Sequence, residues 1–126
     1  LEKKHMATPV LVVDDSAMSR KLIINALPPD WTVEVRQASN GAEAIKAYRA
    51  GKAEVIFLDL TMPVMDGFDV LETLRKEDLN TFVIVVSADY QPKSVERALS
   101  LGAMAFIQKP VSPDKITSVL RKFGII

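Results

Sequence analysis

The sequence predicts an α/β domain: a doubly wound sheet of five parallel strands with helices on both faces. Three observations carry that prediction. Short apolar segments recur at nearly regular distances, at residues 10–13, 32–35, 55–58, 82–86 and 105–108. After each comes a stretch with apolar residues at helical spacing. Four of the five segments are near-continuous in Val, Ile, Leu or Phe, the composition of strands buried on both faces of a parallel sheet. Alternating strands and helices then need right-handed crossovers, which place helices on both sides.

The elements follow in order. The first strand, Val10-Leu11-Val12-Val13, is uninterrupted, and Met18, Leu22 and Ala26 mark a helix after it with Ser16 as N-cap. In the second strand Val33 and Val35 alternate with Thr32 and Glu34, the pattern of an edge strand. Ala42, Ile45 and Tyr48 mark the second helix, and Gly51 follows where a left-handed residue ends a helix well. The third strand leads to a helix marked by Phe68, Leu71 and Leu74. The fourth leads to one marked by Val95, Ala98 and Leu99, with Gly102 closing it. In the last helix Ile116, Val119, Leu120 and Phe123 fall at i, i+3, i+4 and i+7. Ser112 and Pro113 supply its cap and its first-turn proline.

At 126 residues the chain has the length of one domain and can bury a core without disulfides or a structural metal. Hydrophobic residues at 48% and charged residues at 25% place it in the globular range. The absence of cysteine excludes thiolate metal sites and suits a reducing compartment, so a cytoplasmic location is expected. Lys plus Arg and Asp plus Glu both number 16, which argues against a chain that grips nucleic acid. No apolar run approaches the ~20 residues of a membrane span, and the start lacks the apolar segment of a secretory signal. Residues 1–7 are set apart as a tail or cloning remnant, and the domain is expected to occupy 8–126.

Ligands of such sheets bind beyond the carboxyl ends of the strands. Strand one ends in Asp14-Asp15, strand three in Asp59, strand four in Ser87 and strand five in Lys109-Pro110. Singly, each has an ordinary explanation: the acids as helix caps or turn residues, the lysine as solvated surface. Together they do not. Carboxylates gathered at one sheet edge repel by roughly 3 kcal/mol per pair at ~5 Å and an effective dielectric of ~20, so a cation is expected to offset them. Oxygen donors with no Cys, and with the sole His at position 5, suit Mg²⁺ and not zinc. A metal-bound carboxylate cluster beside a lysine can clamp a phosphoryl group while one carboxylate acts as nucleophile.

These residues form a recognisable series. Its pieces are Val10-Leu11-Val12-Val13-Asp14-Asp15-Ser16, Val55-Ile56-Phe57-Leu58-Asp59-Leu60-Thr61-Met62-Pro63, Met65-Asp66-Gly67, Val85-Val86-Ser87-Ala88 and Gly102-Ala103-Met104-Ala105-Phe106-Ile107-Gln108-Lys109-Pro110. The chain resembles a bacterial two-component response regulator receiver domain, of chemotaxis-regulator size, over residues 8–126. The resemblance implies the flavodoxin-like strand order 2-1-3-4-5. It implies phosphorylation of Asp59 by a histidine kinase or histidine phosphotransfer domain. It implies Mg²⁺, with Mn²⁺ as a substitute, held by Asp15, Asp59 and the Thr61 carbonyl, with Asp14 acting mainly through a water. Lys109 and the Ser87 hydroxyl would meet the phosphoryl oxygens, and Phe106 takes the place of the family's aromatic switch. Thr61 and Asp89 stand where residues vary with the rate of hydrolysis, and Pro110 would follow a cis bond. A downstream target is expected on the face of the fourth helix, fifth strand and fifth helix, with Tyr90, Lys93, Val95 and Arg97 beside Phe106. Ser87 stands where Thr is common, and either supplies the hydroxyl.

Three other readings compete. A haloacid-dehalogenase-type phosphatase also forms a phospho-aspartate but would want an acid at position 61 and a cap domain. A flavin carrier would want a Ser, Thr and Gly-rich phosphate loop where Asp14-Asp15 would repel phosphate. A receiver-like module that only binds partners would not need all five chemical positions filled. The resemblance therefore implies a signalling domain that catalyses only its own phosphorylation and dephosphorylation, and is not otherwise an enzyme.

Overall fold

A computed structural model describes residues 7–77 and 80–126. Of the tail expected at 1–7, all but Ala7 lies outside these. The chain runs β1 (Thr8–Val13), α1 (Ala17–Ala26), β2 (Val33–Ala38), α2 (Gly41–Arg49), β3 (Val55–Leu58), α3 (Gly67–Lys76), β4 (Phe82–Ser87), α4 (Pro92–Ser100), β5 (Ala105–Gln108) and α5 (Pro113–Lys122). The strands pair in parallel in the order β2-β1-β3-β4-β5, as expected.

Side chains alternate across each strand, so the sheet divides the core in two. Leu11, Val13, Ile56, Leu58, Val83 and Val85 face one side, where Ile45, Val70, Leu71, Leu74 and Ala98 of α2, α3 and α4 cover them. Val10, Val12, Val55, Phe57, Ile84 and Val86 face the other, beneath Ile23 and Ala26 of α1 and Ile116 and Leu120 of α5. Ser16 and Ser112 cap α1 and α5 as predicted, accepting from Ser19 N and Lys115 N, both at 3.2 Å. Gly51 and Gly102 take positive φ, 74° and 109°, and end α2 and α4. The Lys109–Pro110 bond is cis.

Several expectations are corrected. β2 spans Val33–Ala38 and not 32–35, because its backbone stays paired with β1 as far as Val13↔Ala38. Arg36 and Gln37 are exposed at the sheet edge, so the apolar pattern stops before the pairing does. In α1 the stripe of Met18, Leu22 and Ala26 is buried only at Ala26. Met18 and Leu22 are 65% and 52% exposed, while Ile23 and Ala26 are buried. The face a helix buries is chosen by the sheet and by α5, and α1 has apolar residues on more than one face. Leu99 and Phe123, which mark the stripes of the fourth and fifth helices in the sequence, are 45% and 39% exposed, at the margins of the faces that α4 and α5 bury. Among the described residues no helix is long and apolar enough to cross a membrane.

Candidate functional site at the carboxyl edge of the sheet

The register brings the strand ends level. Val13, Leu58, Val85 and Phe106 lie on one line across the sheet, so Asp14 and Asp59, the next residues of β1 and β3, emerge side by side. Their amides continue the ladder, Asp14 N donating to Ala38 O at 3.1 Å and Asp59 N to Val13 O at 3.0 Å. Ser87 closes β4 opposite Gln108, and Lys109 N donates to Ser87 O at 2.9 Å. Strand geometry alone therefore gathers two acids, a hydroxyl and an amine.

The acids are not equivalent. Asp14 and Asp59 are buried, whereas Asp15 is exposed. Lys109 Nζ donates to Asp14 Oδ2 at 2.8 Å and stands 3.7 Å from Asp59 Oδ1, so one ammonium serves two buried carboxylates. Asp14 Oδ1 accepts from Ser16 N at 2.9 Å. Among the described residues no cation stands as close to Asp59. Burial, and then the neighbouring Asp14 charge, push its pKa up to about 6, against the pull of Lys109 and of the Thr61 and Leu60 amides.

Asp14, Asp15 and Asp59 each offer an oxygen, all within 4.8 Å of one another. Three hard oxygens in excess of the single ammonium fit a small divalent cation that keeps waters in its shell, such as Mg²⁺. Thr61 lies exposed in the loop after β3. In the same loop Val64 holds φ at 68°, a conformation costly for a β-branched residue and found where functional loops are tightly constrained.

The switch positions sit beside this cluster. Ser87 is fully buried, and its Oγ accepts from Asp89 N at 3.1 Å. The Asp89 carboxylate accepts from Ser94 Oγ at 2.6 Å and Gln91 N at 3.2 Å, tying it to the start of α4. Phe106 is half-buried, its ring edge-on to exposed Tyr90 with centroids 5.6 Å apart. Arg97 stacks its guanidinium 4.2 Å over the ring of Phe68 on α3.

Sequence reasoning missed Arg20 and Gln37, and it gave no role to Gly67 although that residue closes the Met65-Asp66-Gly67 piece. Arg20 and Gln37 reach the site from α1 and β2, with Arg20 Nη1 donating to Asp14 O at 2.7 Å and Nε to Gln37 Oε1 at 2.8 Å. Nothing in periodicity separates such an arginine from ordinary solvated charge. Gly67 opens α3 directly against the Asp59–Leu60 backbone, its N donating to Leu60 O at 2.9 Å. Its place after Met65-Asp66 was the available signal.

Comparison with known proteins agrees with this geometry. Residues 10–121 match the response regulator receiver domain family. The chain is 35% identical over 117 residues to the chemotaxis protein CheY of Thermotoga maritima, covering 93% of this chain and 98% of that protein. The signal receiver domain of the putative response regulator NarL from Mycobacterium tuberculosis superposes with a TM-score of 0.84 at 32% identity, over 94% of this chain and 97% of that one. CheY in the CheX–CheY–BeF3–Mg complex of Borrelia burgdorferi superposes at 0.83 with 30% identity, over 94% and 90%. With the strand order, the acid cluster and these likenesses in agreement, the chain belongs to the response regulator receiver domains, and within them to the CheY type.

Proposed function

We propose that this chain is a phosphoacceptor signalling domain, taking a phosphoryl group onto Asp59 from a histidine kinase or histidine phosphotransfer domain. The observation that carries the reading is the arrangement around Asp59. It is a buried carboxylate with two further acids beside it, a lysine 3.7 Å away and a serine hydroxyl at the next strand end. An Asp59 oxygen attacks phosphorus as the bond from phosphorus to the donor's imidazole nitrogen breaks, leaving an acyl phosphate and a free imidazole. Lys109 takes charge from the phosphoryl oxygens, and Ser87 donates its hydroxyl to one of them. Asp15, Asp59 and the Thr61 carbonyl would hold Mg²⁺ or Mn²⁺, with Asp14 through a water. The ion would supply positive charge to the oxygens in transfer. The activity is confined to the domain's own phosphorylation and hydrolysis, with Thr61 and Asp89 tuning the latter, and the location is cytoplasmic.

The test uses a small donor, since the clamp and not the kinase does the chemistry. With acetyl phosphate and Mg²⁺, intact mass spectrometry is expected to show one added group of ~80 Da that EDTA prevents and alkali removes. A chain that stays unlabelled under those conditions is an interaction module and not a phosphoacceptor.

The output follows from Ser87 and Phe106. Drawing the Ser87 hydroxyl toward a phosphoryl group disturbs its bond from Asp89 N and opens space beneath residues 88–92. Phe106 is the large side chain able to fill it, and burying the ring is worth about 1.5–3 kcal/mol, enough to shift a two-state equilibrium tenfold or more. The exposed Tyr90 edge, Lys93 and Val95 then form, with β5 and α5, the face for a downstream target, whereas Arg97, expected there from the sequence, packs instead over Phe68 on α3. Beryllofluoride, a stable mimic of the phosphoryl group, is expected to move amide resonances across residues 88–108. Shifts confined to the acid cluster would refute this route.

A further inference from the structure

We infer that Arg20 is a positioning residue, holding the Asp14–Asp15 peptide so that the exposed Asp15 carboxylate stands beside those of Asp14 and Asp59. The inference rests on the reading of these three acids as a Mg²⁺ site. Asp14 is held at every polar atom: its N donates to Ala38 O, its Oδ1 accepts from Ser16 N, its Oδ2 from Lys109 and its carbonyl from Arg20. Asp15 is not. Among the described residues none donates a hydrogen bond to its carboxylate, so what keeps that carboxylate within reach of the other two is the backbone position set by the peptide that precedes it. That peptide's oxygen is the Asp14 carbonyl, held at 2.7 Å by Arg20 Nη1. The guanidinium is itself fixed between α1 and β2, because its Nε donates to Gln37 Oε1 at 2.8 Å and Gln37 is paired in the sheet with Val12. A planar fork with two engaged arms cannot rotate without breaking one of them, which suits arginine and not lysine to the place.

Two effects of Arg20 on cation binding have opposite sign, and this makes the inference decidable. As a charge, Arg20 repels a divalent ion, so its removal would tighten binding. As a positioning group it keeps Asp15 in place, so its removal loosens binding. Partners that orient metal ligands typically change affinity by about 10–100-fold. Arg20 acts through a peptide and not on the carboxylate, so Arg20→Ala is expected to weaken Mg²⁺ binding by about three- to tenfold.

The experiment is calorimetric titration of Mg²⁺ into the metal-free full chain, alongside melting in EDTA. Wild type is expected to bind and Asp15→Asn to bind far more weakly; if wild type does not bind, the metal-site reading falls and the inference with it. If wild type binds and Asp15→Asn does not, Arg20→Ala decides. Weakened binding supports the inference, and unchanged or tighter binding overturns it. Arg20→Lys keeps the charge but offers its donors from a single nitrogen, which cannot span both acceptors as the fork does, and is expected to fall between the two. Gln37→Ala frees the second arm and is expected to loosen binding by about twofold. A lower melting temperature of Arg20→Ala in EDTA with unaltered Mg²⁺ affinity would mark a merely structural contact and equally overturn it.

Discussion

Asp59→Asn is expected to lose the phosphoryl label entirely and, in metal-free buffer at pH 7.5, to melt later than wild type. The first effect follows because an amide oxygen is no substitute for the carboxylate nucleophile. The second follows from the burial of Asp59 beside Asp14, which lifts its pKa to about 6 from an ordinary 3.8. A carboxyl raised on folding favours the folded state when protonated. That contribution is fully present below pH 3.8 and is lost as pH rises through about 6. Asparagine mimics the neutral form at every pH. The substitution leaves Lys109 with Asp14 at 2.8 Å, so no buried charge is orphaned. The gain at pH 7.5 is expected to be about 1–2 kcal/mol and to shrink toward pH 5. Urea denaturation in EDTA at both pH values measures it. A variant no more stable than wild type at pH 7.5 would mean that the acids are not crowded. Acid-stable label retained on the variant would place the chemistry on a hydroxyl.

The other large effect is expected from Gly67→Ala. A Cβ built at Gly67 would lie 2.4 Å from Asp59 O, 2.7 Å from Leu60 Cα and 3.1 Å from Asp59 C, all backbone atoms of the segment that carries the phosphoacceptor. Side chains can turn aside from such a clash; this backbone can yield only by moving Asp59 or by lifting the first turn of α3. That turn is held by a capping box, Asp66 Oδ1 accepting from Asp69 N at 2.9 Å and Asp69 Oδ2 from Asp66 N at 3.1 Å. A loss of about 3 kcal/mol or more is expected, with a fall in phosphorylation rate of tenfold or more in whatever remains folded, since small misplacements of a reacting group are expensive. Gly51→Ala is the control. Gly51 also needs a side-chain-free backbone, at φ 74°, but nothing lies within 4 Å of its added Cβ. That variant is expected to cost about 1 kcal/mol and to phosphorylate normally. Equal behaviour of the two variants would refute the close approach at Gly67.

The strands and the reactive residues were legible for the same reason. Each buried strand is an apolar run that ends abruptly in polar residues, so Asp14, Asp59 and Ser87, and Lys109 after Gln108, announced themselves as strand ends. Parallel topology then required those ends to share one edge. Helix faces were less legible. Met18 and Leu22 are apolar and correctly spaced, yet they are exposed, because which stripe of α1 is buried depends on α5 and the sheet beneath.

By itself, then, the sequence determined the element order, the edge character of β2 and the chemical inventory of the site, since all three depend on residue type and local period. The tertiary structure decided how that inventory is wired. It paired Lys109 closely with Asp14 and left Asp59 the less neutralised acid, with its pKa raised. It separated two buried carboxylates from an exposed one, brought Arg20 onto the Asp14 carbonyl and pressed Gly67 onto the Asp59 backbone. Each of these is an ångström-scale distance between segments remote in the chain, fixed by strand register and helix docking; composition and periodicity carry no trace of such distances.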